Sequence, residues 1–157
     1  MSVTPDQSAR WKECIVEHSQ FPRAHLPLEQ VTHEGRGDNP FCGDRVTVQL
    51  VVGADDRIRE VGCQSVGCAI SMASASLLAS SVKNCSTAQA HSLFERVRDM
   101  LITGREPDAL AEEETALGDL EALLMVRQYP SRVKCATLAW HALKHALAGE
   151  PETASTE

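Results

Sequence analysis

The stretch Arg45-Val46-Thr47-Val48-Gln49-Leu50-Val51-Val52 decides the fold class. Val46, Val48, Leu50 and Val52 fall on one side of an extended chain, with Arg45, Thr47 and Gln49 between them, which is the pattern of a half-buried strand. Gly53-Ala54-Asp55-Asp56 then makes a turn, and Arg57 to Cys63 reads as the returning strand of a hairpin.

On either side of this hairpin the period changes from two to between three and four. Residues 6–19 can form an amphipathic helix, with Trp11, Cys14, Ile15 and His18 on one face. Residues 21–40, rich in Pro, Gly and His, read as a loop. Ile70 to Val82 is a helix of Ala, Ser and Leu, small enough to pack close to a sheet. Ser86 is the expected N-cap of a further helix with Leu93, Phe94, Val97 and Leu101 as its apolar stripe. From Glu106 to Glu121 there are seven acidic residues and no basic one, read as a solvated loop running into the acidic first turn of a helix. Pro130 and Ser131 open the last helix, where Val133, Ala136, Trp140, Leu143 and Leu147 share a face.

The 157 residues fit a single α+β domain over 1–149, with a polar tail at 150–157 expected to be disordered. A net charge of -7, with fifteen scattered basic residues, argues against a nucleic-acid partner. No run approaches the ~20 apolar residues of a membrane span, and residues 1–10 lack the features of a signal peptide. A cytoplasmic location is the expectation. In that reducing compartment six cysteines point to metal binding or sulfur chemistry rather than disulfides. No C-x-x-C pair is present, so any ligands must be gathered by the fold.

Three cysteines and one aspartate stand out: Cys42 and Asp44 in one loop, and Cys68 and Cys135 each at or near the start of an expected helix. The positive end of a helix dipole favours thiolate, which is both metal ligand and nucleophile. Three thiolates and a carboxylate suit tetrahedral zinc. The set would carry about -2 around a dication, and Lys134, adjacent in sequence to Cys135, is the candidate to help hold it. Unrelated buried thiols are the alternative on spacing alone. Cys14 and Cys63 read as core residues, and no role is expected for Cys85. His141 and His145 have chelating spacing but read as a solvated helix face.

Asn39-Pro40-Phe41-Cys42-Gly43-Asp44-Arg45, Gly67-Cys68-Ala69-Ile70-Ser71-Met72-Ala73-Ser74-Ala75-Ser76 and Arg132-Val133-Lys134-Cys135-Ala136-Thr137-Leu138-Ala139-Trp140 resemble the SufU family, within the IscU-like superfamily of iron–sulfur biogenesis. The resemblance runs from about Trp11 to Leu147 and includes Gly118-Asp119-Leu120-Glu121-Ala122-Leu123. Lys134 stands where IscU-type scaffolds typically have histidine, and 66 residues separate Cys68 from Cys135, a longer stretch than in those scaffolds. The resemblance implies an IscU-like fold, a small antiparallel three-stranded sheet with helices packed on one side. It also implies zinc held by Cys42, Asp44, Cys68 and Cys135, and a SufS-type cysteine desulfurase whose persulfide sulfur Cys42 accepts. In the mechanism proposed for the family, a histidine of that partner replaces the first cysteine on zinc. The implied role is a zinc-dependent sulfurtransferase, a sulfur carrier feeding a downstream iron–sulfur scaffold complex. The alternative is a scaffold that itself binds a nascent [2Fe–2S] cluster at the same cysteines.

Overall fold

The structure, a computed structural model, describes residues 5–22, 28–40, 43–103, 118–148 and 154–155. Its sheet contains β1 (His33–Asn39), β2 (Asp44–Val52), β3 (Ile58–Val66) and the two-residue β4 (Ala154–Ser155), in the spatial order β3-β2-β1-β4. The first three are antiparallel neighbours. Along β2, Val46, Val48 and Leu50 are buried while the residues between them are not, so one face of the sheet meets the core, as the alternation requires.

The third antiparallel strand lies inside the segment read as a loop. Residues 33–39, His-Glu-Gly-Arg-Gly-Asp-Asn, pair with β2 from His33↔Leu50 to Asn39↔Asp44. No hydrophobic alternation announces them because the inward positions are Gly35, Gly37 and Asn39. A Cβ on Gly35 would lie 1.9 Å from the carbonyl oxygen of Ala142, and one on Gly37 would lie 2.8 Å from the Leu138 side chain. The last helix presses its backbone onto this strand, and only glycine leaves room.

Among the described residues four α-helices accompany the sheet: α1 (Pro5–Gln20), α2 (Ala69–Val82), α3 (Thr87–Thr103) and α4 (Val133–Ala148). Ser86 caps α3 as expected. Its Oγ accepts from the Gln89 backbone N–H at 3.1 Å, while Gln89 Oε1 accepts from the Ser86 N–H at 2.9 Å, a reciprocal capping box. Gly118–Gln128 is a 3-10 helix, and Pro130–Arg132 forms a single 3-10 turn leading into α4. The acidic segment up to residue 117 lies outside the described residues. So does the tail, apart from Ala154–Ser155, which pairs parallel with Gly37 and Asp38 at the outer edge of β1.

Helix α4 packs on β1 and β2, and α2 packs on β3 and against α4. Buried Trp140, Phe94, Leu50, Ile58, Leu77 and Leu138 belong to one continuous core, each contributing about 1.5–3 kcal/mol by leaving water. The small residues of α2 bring it close to α4: buried Ser74 donates to the Ala136 carbonyl and accepts from Trp140 Nε1 at 3.2 Å. These bonds fix the spacing of the two helices whose first residues carry Cys68 and Cys135.

Candidate metal centre

Asp44 is the first residue of β2, Cys68 the N-cap of α2, and Cys135 the third residue of α4. Remote in sequence, they converge: one ligand atom from each lies within 4.8 Å of the others. Asp44 and Cys135 are fully buried and Cys68 is half-buried, so the cluster opens outward on the Cys68 side.

The carboxylate is held from both ends. The backbone N–H of Cys68 donates to Asp44 Oδ1 at 2.9 Å, and Cys68 Sγ lies 3.9 Å from Oδ2. This approach depends on Gly67, whose φ of +147° is open to glycine and strained for other residues. A Cβ there would also stand 1.9 Å from Asp44 Oδ1. Asn39, buried at the end of β1, directs Nδ2 toward Cys135 Sγ at 3.9 Å, while its Oδ1 has no hydrogen-bond partner among the described residues.

These residues fit a metal ion on the chemistry of their donors. Asp44 is fully buried and makes no ion pair with a described residue. A buried carboxylate facing two thiols is costly unless a cation neutralises it. Thiolate donors select a soft or borderline ion, and the set of three leaves room for a fourth ligand.

Cys42 lies outside the described residues. In sequence it stands two residues before Asp44, the cross-strand partner of Asn39. Lys134 is exposed, one residue before Cys135, and its backbone carbonyl accepts from Thr137 Oγ1. The other cysteines stand apart from this cluster. Cys63 is buried in β3, and burial pushes its thiol up to about 12, leaving it a weak nucleophile at neutral pH. Cys85 is buried and donates to the Ser81 carbonyl. His141 packs edge-on against Phe94, and burial, then Lys144, Arg98 and His145, push its pKa down. Asn39 and Gly67 were legible only as motif letters; neither has a donor signature at the sequence level that would mark it as a support for the site.

Two thiols and a carboxylate at the ends of a strand and two helices make a candidate metal site in an α+β domain. Residues 10–136 match the family model described as the NifU-like N-terminal domain, and the chain belongs to that family. It is 33% identical to the zinc-dependent sulfurtransferase SufU of Bacillus subtilis, over 96% of this chain and 97% of that protein. It is 37% identical to the iron–sulfur cluster assembly scaffold protein IscU of Streptococcus pyogenes, over 85% of this chain and 79% of that one. The crystal structure of a SufU protein from Fervidobacterium islandicum superposes with a TM-score of 0.76 at 28% identity, covering 86% of this chain and 94% of that one. The expected sheet of three antiparallel strands with accompanying helices is the fold observed, with β4 as an addition. No helix among the described residues is long and apolar enough to cross a membrane.

Proposed function

We propose that the chain serves iron–sulfur cluster assembly as a zinc-dependent sulfur carrier, taking persulfide sulfur onto Cys42 from a SufS-type cysteine desulfurase in the cytoplasm. The observation that carries this reading is the buried Asp44 carboxylate gathered with Cys68 and Cys135, in a chain whose Cys42 stands two residues before Asp44. Cys42, Asp44, Cys68 and Cys135 would hold the zinc, with Lys134 beside them to temper the negative charge. Bound zinc would keep the thiols deprotonated and protected from oxidation.

The transfer itself is thiol–disulfide exchange. The Cys42 thiolate attacks the outer sulfur of the donor persulfide, a new S–S bond forms at Cys42, and the donor cysteine leaves as thiolate. Cys135 is fully buried, which leaves it poorly placed to meet a partner's persulfide. Full-length similarity to a protein named as a zinc-dependent sulfurtransferase supports the reading. The functional test is sulfide release by the desulfurase: added protein should accelerate it, and Cys42→Ala should abolish the acceleration. Retained acceleration would remove Cys42 from the acceptor role.

Similarity to proteins named as assembly scaffolds favours one other reading, in which a nascent [2Fe–2S] cluster is cargo on the same cysteines. A coloured, iron-containing protein after anaerobic purification would support it over zinc-dependent transfer.

A further inference from the structure

A second group of metal-ligating side chains converges away from Asp44, Cys68 and Cys135. Cys14 and His18, one turn apart on α1, meet Asp119 at the start of the 3-10 helix, one donor atom of each lying within 4.8 Å of the others. Residues four apart on a helix share a face, and burial of Trp11 and Ile15 fixes which face α1 turns inward. Cys14, expected in the core, is half-buried and packs against the core, while its Sγ belongs to this group.

His18 is only 5% exposed, and its Nδ1 lies 2.7 Å from the hydroxyl of buried Ser76 on α2. A polar partner on one ring nitrogen orients an imidazole to coordinate through the other, the arrangement that supports metal-bound histidines. Asp119 is exposed, and a cleft of about 240 Å³ between α1 and the 3-10 helix reaches the group, with Arg10, Trp11 and Glu121 on its walls. An ion therefore has both a buried anchor and an entry path.

We propose that Cys14, His18 and Asp119 form a second site for a divalent ion, for which zinc is the best match. A thiolate, an imidazole and a carboxylate are the three donor types that zinc accepts, and three protein ligands leave a fourth position to water. The thiolate and carboxylate balance the dication, while Glu121 and Arg10 at the cleft wall offset one another. Occupancy would clamp α1 to the start of the 3-10 helix, two elements that already pack together.

The test is equilibrium dialysis of the full chain against Zn²⁺, with metal per chain measured for wild type, Cys14→Ala and Asp119→Asn. Wild type should exceed each variant by about one equivalent, as expected for loss of a single site. Equal zinc content in the three proteins would overturn the proposal. All three keep Asp44, Cys68 and Cys135, so failure of that centre would lower them alike and leave the difference intact. Asp119 is exposed, so Asp119→Asn reports on the site without disturbing the core. Dialysis against Co²⁺ supplies a second readout: thiolate-to-cobalt absorption contributed by Cys14 should disappear in Cys14→Ala, and an unchanged spectrum would contradict its role as ligand.

Discussion

The backbone N–H of Cys68 donates to Asp44 Oδ1 at 2.9 Å, tying the first residue of β2 to the N-cap of α2. One bond thus joins two ligand-bearing elements. It also satisfies an N–H at a helix start, where an anion is favoured by the dipole. Asp44, Cys68 and Cys135 are thus built into the packing of sheet and helix rather than suspended on a loop.

Gly67 permits that bond, and Gly67→Ala is expected to break it. The new methyl would collide with Asp44 Oδ1 at 1.9 Å and meet a backbone φ of +147°. A loss of about 1–3 kcal/mol should appear in denaturant unfolding, together with reduced zinc content. Unchanged stability would show that the approach of residue 67 to Asp44 is looser than described.

Asp44→Asn separates metal binding from folding. Asparagine keeps an oxygen for the Cys68 N–H but removes the charge that calls for a cation. Metal-loaded wild type should unfold at a higher temperature than metal-loaded Asp44→Asn. After chelation the variant should be at least as stable as wild type, since ligand binding stabilises only the state that binds it and the uncompensated buried charge is gone. A large deficit in the metal-free variant would mean that the carboxylate is a structural group first.

Gly35→Ala tests why β1 escaped detection. Its Cβ would fall 1.9 Å from the Ala142 carbonyl oxygen, so α4 must move off the strand, at a cost of about 1–3 kcal/mol. Thermal unfolding measures this directly, and a neutral substitution would refute the close packing. The hairpin of β2 and β3 was legible because its inward residues are large and apolar, whereas β1 carries the same two-residue period in glycine and asparagine. Asp44, Cys68 and Cys135 were legible as metal-ligating residue types in three motif segments, with both cysteines near expected helix starts. The grouping of Cys14 and His18 with Asp119 was not, because it depends on how the 3-10 helix lies against α1.

Cys63 should be chemically silent in the folded protein. Burial raises its thiol to about 12, so almost no thiolate exists at neutral pH. Alkylation should reach it only on unfolding, and Cys63→Val should leave the stimulation of desulfurase unchanged. Rapid labelling of Cys63 in the native state would contradict its placement in the core.

His141 should make stability depend on mildly acidic pH. Burial first, then Lys144, Arg98 and His145, lower its folded pKa from 6.5, so the unfolded chain binds its proton more readily. Its contribution is complete above that unfolded value and declines as pH falls from there toward the lower folded one. Replacing His141 with glutamine should flatten this part of the stability–pH curve; an identical slope would exclude His141 as its source.

The central claim is that sulfur arrives at Cys42. Incubation with a SufS-type desulfurase and cysteine, followed by thiol trapping and peptide mass spectrometry, locates it directly. A persulfide is expected on the peptide containing Cys42 and none on Cys63 or Cys85. A persulfide found elsewhere, with Cys42 unmodified, would contradict it.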